Sequence, residues 1–236
     1  MVKVGIIQSS YIPWRGYFDF IASVDIFVFY DDVQYTTRDW RNRNRLKTPR
    51  GTEWITVPVS HQSRSKLICE TLIDLTTPWT KKHLRTWELN YRKSPNFNIA
   101  TELLAEINDP EQTTISKLNI KLIHRICDYL EIKTPMILSS ELSLKGRRTE
   151  RLIEILKKLN ATTYLSGPNA DAYLDKDLFR EYGIQLEYKS YDYTPYPQLW
   201  GEFIGDVTVL DLVANCGADA KKFLQSRTPD RVVVPK

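Results

Sequence analysis

Apolar residues occur in two patterns along this chain, as short continuous runs and as longer stretches with helical spacing. Residues 3–8 and 26–30 are short apolar runs, typical of strands buried on both faces. Between them, from residue 16 onward, the apolar positions lie three and four residues apart and share one helical face. The order strand, helix, strand predicts two parallel strands joined by a right-handed crossover.

Both patterns continue towards the end of the chain. Helices are predicted for residues 80–91, 99–107, 115–130, 148–159, 172–182, 207–215 and 218–224. Further strands are predicted for residues 54–59, 135–139, 162–166 and 184–191. We therefore predict an α/β fold with a mainly parallel, Rossmann-like sheet flanked by helices and an inserted helical lobe. The predicted parts are an N-terminal α/β half (residues 1–79), the helical lobe (80–131) and a C-terminal α/β half (132–236), all in one compact unit.

Composition narrows the class of protein. Hydrophobic residues make up 42% of the chain and charged residues 26%, which excludes a disordered chain. The chain has no apolar run of the roughly 18–20 residues that span a membrane, and it enters its first strand without a signal-peptide pattern. Its three cysteines form no CxxC pair and no disulfide framework, so we expect a reducing, cytoplasmic location.

Positive charge is concentrated in residues 38–50, where six basic residues are opposed only by Asp39. If this segment is extended, alternate residues point to opposite sides. The arginines then share one side and the asparagines the other: Arg41, Arg43 and Arg45 against Asn42 and Asn44. Guanidinium groups match phosphate or carboxylate, and amides hydrogen-bond hydroxyl groups. The pattern predicts a site for a phosphate-bearing small molecule or a carrier-linked substrate, whereas a net charge of only +4 makes nucleic acid an unlikely partner.

Further substrate-binding candidates follow the ends of predicted strands, where open parallel sheets bind ligands. The loop after the first strand also leads into a helix N-terminus, which favours an anion. The candidates are Gln8, Tyr11 and Tyr17 after the first strand, Gln34 and Tyr35 after the second, and Ser166, Gly167, Asp171 and Tyr173 after a later one. Turn formation, packing and helix capping remain open as alternatives, with Asp171 a natural N-cap. Residues 193–203 are compatible with a wall over a sugar or with a packed strap.

Three residues are candidates for catalysis. Asp31 and Asp32 end the second predicted strand and should point to opposite faces, so they are not expected to act as one dyad. General base action, metal binding and loop capping are open for them. His83 begins a basic helix and could contact an anion or lie on the surface. The scattered histidines predict no metal site, and the residues specify neither a cofactor nor an oligomeric state. We expect Gln8, the two aspartates and Ser166 to converge on one crevice.

Five segments of the chain resemble the WbqC-like protein family. They are QSSYIPWRGYFDFI, VDIFVFYDDVQY, WRNRNR, YLSGPNADAYLD and YPQ…TVLDLVANCG. The resemblance extends over nearly the whole length and departs from the family pattern at Thr208 and Ala214, where Ser and Phe are expected. It implies a bacterial or archaeal protein encoded among genes for O-antigen, other surface polysaccharides or amino sugars.

The leading interpretation is an enzyme, a transferase that moves an acyl or aminoacyl group to the amine of a nucleotide-linked sugar. In it, Arg43 and Arg45 bind phosphate, while the amides of Gln34, Asn42 and Asn44 orient hydroxyl groups or the amine. One of the two aspartates deprotonates the amine.

Two alternatives belong to other classes. The first is an adenylyl- or nucleotidylyltransferase that uses ATP and Mg²⁺, with Asp32 holding the metal. The first loop resembles that of phosphopantetheine- and glycerol-type nucleotidylyltransferases, but Trp14 and Tyr17 stand where those enzymes carry histidines. The second alternative is a non-catalytic binding protein of a polysaccharide assembly pathway.

Overall fold

The computed structural model describes residues 1–235, apart from the side chains of Gln62 and Arg64. Within this range the strands are β1 (Lys3–Ile7), β2 (Ile26–Phe29), β3 (Arg43–Thr48), β4 (Gly51–Thr56), β5 (Met136–Leu138), β6 (Thr163–Ser166), β7 (Gln185–Tyr188) and β8 (Arg231–Val234). The α-helices are α1 (Arg15–Ala22), α2 (Trp79–Tyr91), α3 (Phe97–Ala105), α4 (Ile115–Tyr129), α5 (Arg148–Lys158), α6 (Lys176–Glu181) and α7 (Val209–Cys216).

The main sheet has the strand order β5-β2-β1-β6-β7-β8. Every neighbouring pair is parallel except β7 and β8, which are antiparallel. The predicted α/β fold with a mainly parallel, Rossmann-like sheet is therefore confirmed. The chain begins at the centre of the sheet, builds outward through β2 to β5, and returns to the other side of β1 with β6. In sheets of this kind, ligands bind beyond the carboxyl ends of the strands where the order reverses, which here is between β1 and β6.

Alternate residues of β1 serve the two faces of the sheet. Val4 and Ile6 belong to the apolar cluster that α5 and α6 cover, whereas Ile7 packs against the cluster formed with α1 and the helices α2 to α4. Gly5 lets α1 approach the sheet, because a Cβ atom there would lie 2.4 Å from Cε1 of Phe20. Both faces of the sheet are therefore buried, as expected for a continuous apolar strand in a parallel sheet.

The helices of the predicted lobe pack into the same apolar cluster as α1. Trp87 of α2, Leu104 of α3 and Leu122 of α4 lie in this cluster together with Phe20 of α1, and all four side chains are buried. No helix among residues 1–235 combines the length and the apolar character needed to cross a membrane.

Several local predictions differ from the structure. The strand predicted at residues 54–59 is β4, which ends at Thr56 and pairs antiparallel with β3 in a hairpin outside the main sheet. The helix predicted from residue 172 begins only at Lys176, because Asp175 accepts the amide of Asp177 at 3.0 Å and caps it. The residues before it, Pro168–Ala172, form a 3-10 turn. Asp171 therefore does not cap α6.

Candidate functional site

Two adjoining cavities open at the carboxyl ends of β1 and β6, where the strand order reverses. The larger, the tyrosine cavity, has a volume of about 790 Å³ and is lined by Ile6, Ile7, Gln8, Tyr30, Arg148, Thr149, Leu152, Tyr164, Ser166, Gly167, Asn169, Ala170, Tyr173 and Leu174. The other, the arginine cavity, has a volume of about 530 Å³ and is lined by Ile7, Ser10, Pro13, Trp14, Tyr17, Trp40, Arg41, Asn44, Arg45, Gly167, Pro168, Asn169, Tyr191 and Asp206. Three lining residues, Ile7, Gly167 and Asn169, are common to both, so the cavities form one crevice.

The loop between β1 and α1 is held in an unusual backbone conformation. Ile12 has a φ of +35°, which is rare for a β-branched residue and strained. The amide nitrogen of the buried Asn44 side chain donates to the carbonyl oxygens of Tyr11, at 3.0 Å, and of Ile12, at 2.8 Å. The backbone amide of Tyr11 also donates to the carbonyl oxygen of Trp40, at 2.9 Å. Hairpin β3–β4 and the segment before it thus fix the loop that forms one wall of the arginine cavity.

Arg41 is a buried guanidinium whose hydrogen-bond partners among the described residues are neutral. Its side chain lines the arginine cavity, and the residue is only 7% exposed. The guanidinium donates to Oε1 of Gln8 and, at 3.1 Å, to Oγ of Ser10, and both acceptors are neutral. Among the described side chains, no carboxylate forms an ion pair with Arg41, and its Nε has no hydrogen-bond partner. Because an uncompensated buried charge is costly, an anion in the cavity would be strongly favoured.

The predicted separation of arginines and asparagines onto two sides is not what the cavity lining shows, because Asn44 lines the arginine cavity together with Arg41 and Arg45. Arg45 lines the arginine cavity and forms an ion pair with Asp206. The guanidinium carbon of Arg43 lies 4.1 Å from the ring centroid of Trp54, outside both cavities. Asn42 donates to the carbonyl oxygen of Val57 at 2.8 Å. Asn42 and Asn44 are therefore bonded to backbone, and Asn44 alone of the two reaches the crevice.

The two aspartates of the predicted catalytic set point into separate hydrogen-bond networks. The carboxylate of Asp31 is buried, accepts the backbone amide of Ser9 at 2.7 Å and accepts the hydroxyl of Ser116. The carboxylate of Asp32 forms an ion pair with Arg151 and accepts the hydroxyl of Ser139. Neither aspartate lines the crevice. Asp31 supports the β1–α1 loop from behind, and Asp32 ties the end of β2 to α5.

His83, the third catalytic candidate, is buried beneath the β1–α1 loop. Its Nδ1 lies 2.9 Å from the hydroxyl of Tyr11, and its Nε2 lies 3.1 Å from the carbonyl oxygen of Thr56. A neutral ring that donates from Nε2 and accepts at Nδ1 satisfies both contacts. Burial lowers the pKa of His83 to about 4, so the ring is neutral at pH 7. Neither His83 nor Tyr11 lines the crevice.

This buried histidine predicts that the protein loses stability in mild acid. The pKa of His83 falls from 6.5 to about 4 on folding, so between these values the unfolded chain binds more protons. The free energy of unfolding should therefore fall as the pH drops from 6.5 to about 4, by about 3 kcal/mol from this residue. Urea denaturation of the wild type and of His83→Gln across this range measures the effect. The variant should have a shallower pH dependence, and two parallel curves would contradict the prediction.

The remaining candidates divide between the crevice and other places. Five others line the crevice: Gln8, Tyr17, Ser166, Gly167 and Tyr173. Tyr17 donates to the carbonyl oxygen of Gln8 at 3.1 Å, and burial raises its pKa well above 10. Tyr35 lines a separate cavity of about 350 Å³ next to His61, and Gln34 forms an isolated bridge with Leu67. Asp171 forms an ion pair with Lys176 at 2.6 Å.

Gln8 and Ser166 therefore meet in the tyrosine cavity, as expected from their places at strand ends. The two aspartates lie at the same edge of the sheet without facing the crevice.

The predicted set leaves out several residues that line the crevice. Trp14 and Asn169 lie within segments quoted in the sequence analysis but are not among the predicted binding residues, whereas Tyr191 and Asp206 have no sequence signal of their own. Residues 193–203 form a packed strap around Arg15 rather than a wall of the crevice: Tyr193, Tyr196 and Phe203 lie over its guanidinium at 4.7, 5.1 and 5.4 Å. Among residues 1–235, no group of three or more His, Cys, Asp or Glu side chains is arranged to hold a metal ion.

The chain is similar to known proteins over most of its length. The profile of the WbqC-like protein family matches residues 8–223, which include most residues of the crevice. The chain is also 49% identical over 228 residues to the uncharacterized protein Rv1507c of Mycobacterium tuberculosis (strain ATCC 25618 / H37Rv). That similarity covers 95% of this chain and 98% of the mycobacterial protein. No solved structure matches.

Proposed function

We propose that this chain, which belongs to the WbqC-like protein family, is a transferase of surface-polysaccharide or amino-sugar biosynthesis that acylates or aminoacylates the amine of a nucleotide-linked sugar. The family suggests the polysaccharide context. The observation that carries the proposal is Arg41, a buried guanidinium that lines the crevice and has only neutral partners among the described residues. A ligand diphosphate would supply the missing negative charge.

The position of Arg41 supports one arrangement of such a substrate in the two cavities. Arg41 lines the arginine cavity, and its partner Gln8 lines the tyrosine cavity, so a diphosphate on Arg41 lies where the two meet. The sugar then occupies the tyrosine cavity, whose hydroxyl and amide groups suit a ring with several hydroxyls. A volume of about 790 Å³ is sufficient for a sugar and part of an acyl group.

The transfer step needs an activated acyl donor and a proton acceptor. With an acyl thioester as donor, a bond forms between the sugar nitrogen and the acyl carbon, the carbon–sulfur bond breaks, and the proton from nitrogen ends on the departing thiol. The sequence predicts that either Asp31 or Asp32 accepts this proton, but both carboxylates already accept hydrogen bonds outside the crevice. Among the described residues that line the crevice, Asp206 is the carboxylate, but it pairs with Arg45 in the arginine cavity, whereas the sugar amine lies in the tyrosine cavity. The departing thiolate therefore takes the proton from the nitrogen directly.

Direct assay of the acylation tests this function. The full chain is incubated with a uridine diphosphate-linked hexosamine that has a free amine and with a panel of acyl and aminoacyl thioesters. We expect mass spectrometry to detect one added acyl group for each thiol released. Arg41→Ala should raise the KM for the nucleotide-linked sugar by about ten- to a hundredfold, because a hydrogen bond to a charged group contributes about 1.5–3 kcal/mol. Arg50→Ala is a matched control, because Arg50 is an exposed arginine that lines neither cavity.

A non-catalytic binding protein is the second candidate function. The three residues that the sequence predicts to be catalytic do not face the crevice, because the carboxylates of Asp31 and Asp32 accept hydrogen bonds from neighbouring groups and His83 is buried. This observation favours a protein that binds the nucleotide-linked sugar without catalysis. In that case the nucleotide-linked sugar should bind and saturate the protein while no donor in the panel gives an acylated product.

A further inference from the structure

Two tryptophans stand side by side on the surface at the edge of the arginine cavity. Trp40 precedes hairpin β3–β4, Trp54 lies on β4, and their ring centroids are 5.2 Å apart. Trp40 is 40% exposed and Trp54 is 43% exposed. Trp40 also lines the arginine cavity. Adjacent exposed indole rings at the edge of a binding crevice are typical of a recognition surface, since they leave apolar area in contact with water.

Arginines of the same hairpin hold these rings in place. The guanidinium carbon of Arg43 lies 4.1 Å from the centroid of Trp54. That of Arg45 lies 5.6 Å from the centroid of Trp40 and 5.5 Å from that of Trp54. Arg45 and Trp54 are paired across the two strands, and Arg45 is fixed in turn by its ion pair with Asp206. Cation–π contacts of this kind orient the rings before a ligand arrives.

We propose that Trp40 and Trp54 form a stacking platform for the base of a nucleoside diphosphate whose phosphates bind Arg41. This inference rests on the proposed function and adds the site of the nucleoside. The platform and the anion site share one surface, because Trp40, Arg41 and Arg45 all line the arginine cavity. One small molecule that has both a planar ring and a negatively charged group is therefore able to contact the tryptophans and Arg41 together.

Other residues of the cavity suit the part of the ligand between base and phosphate. The carboxylate of Asp206 lies in the same cavity and is able to accept hydrogen bonds from ribose hydroxyls. A platform of indole rings discriminates weakly between bases, because every base has a π-face. The structure therefore assigns the class of ligand, a nucleoside diphosphate, rather than one particular base.

Titration calorimetry with three probes tests the platform: inorganic pyrophosphate, uridine 5′-diphosphate and adenosine 5′-diphosphate. In the wild type, both nucleotides should bind about tenfold more tightly than pyrophosphate because the base adds stacking. In Trp40→Leu and Trp54→Leu this advantage should shrink to about threefold or less, while the affinity for pyrophosphate stays the same. Trp40→Phe and Trp54→Phe keep a ring and should retain most of the advantage, which also covers the case of a leucine variant that fails to fold.

Tyr182→Leu is the matched control, since Tyr182 is also an exposed ring with a cation over it, the Lys157 ammonium at 4.7 Å, and lies outside the crevice. Nucleotides that bind no better than pyrophosphate, or an advantage that survives both leucine variants, would overturn the platform and leave the anion site intact. If the wild type binds the nucleotides but not pyrophosphate, and nucleotide binding depends on the tryptophans, the assigned anion site is contradicted instead. If none of the probes binds, both proposals fail.

Discussion

Replacing Arg41 with alanine should weaken the binding of inorganic pyrophosphate by about ten- to a hundredfold. A hydrogen bond to a charged group contributes about 1.5–3 kcal/mol, and Arg41 is buried beside the crevice where solvent screens its charge poorly. The stability of the unliganded protein should change little, because the substitution removes an uncompensated buried charge while it leaves Gln8 and Ser10 without one partner each. Titration calorimetry gives the affinity, and thermal melting gives the stability.

Arg50→Ala is the control for Arg41→Ala. Arg50 is an exposed arginine of the same basic segment and lines neither cavity, so its loss should change the affinity about twofold or less. Arg41→Lys keeps the charge but loses the forked geometry, and it should fall between the alanine variant and the wild type. An unchanged affinity together with a large drop in melting temperature in Arg41→Ala would mean that Arg41 has a purely structural role.

Replacing Asp31 with alanine should lower the free energy of unfolding by about 3 kcal/mol. The buried amide of Ser9 and the hydroxyl of Ser116 both lose their acceptor, and each unsatisfied buried group costs about 1–3 kcal/mol. Asp31→Asn keeps an acceptor oxygen for one of them and should cost less than half as much. Urea denaturation at pH 7.5 measures both variants.

The same variants separate a structural Asp31 from the catalytic one that the sequence suggests. If Asp31→Ala unfolds as readily as the wild type but has lost all turnover, the carboxylate acts in the reaction and the structural interpretation fails. If stability and activity fall together in the alanine variant and both largely recover in Asp31→Asn, Asp31 positions the β1–α1 loop. A catalytic carboxylate would not recover in this way, because an amide cannot accept the proton.

The sequence predicts the strand-end residues well because apolar runs mark strands locally, and the carboxyl ends of parallel strands lie at one edge. Gln8 and Ser166 meet in the tyrosine cavity for this reason. The alternation at residues 41–45 predicts that asparagines and arginines point to opposite sides, whereas Asn44 and Arg45 both line the arginine cavity. Which arginine faces the crevice depends instead on how hairpin β3–β4 docks against the β1–α1 loop, through contacts such as that from Asn44 to Ile12.

The crevice residues that the sequence does not predict are determined by contacts between residues distant in sequence. Asp206 reaches the crevice through its ion pair with Arg45, 161 positions away, and no local pattern signals such a contact. Arg41 appears in the sequence as one of three equivalent arginines. It becomes distinct only because Arg43 stacks on Trp54 and Arg45 pairs with Asp206, while Arg41 has neutral partners. The sequence predicts strand β4 but does not predict its hairpin with β3, because β3 is rich in charged residues and has no apolar run.

The position of β1 in the middle of the sheet has a consequence for synthesis of the chain. β2 pairs with one edge of β1 early, but the other edge has no partner until β6 is made, more than 150 residues later. At about 5–20 residues per second, the ribosome leaves this strand edge unpaired for roughly eight to thirty seconds. Unpaired strand edges recruit strands from other chains, so this interval is when the nascent protein is most exposed to aggregation and most dependent on chaperones.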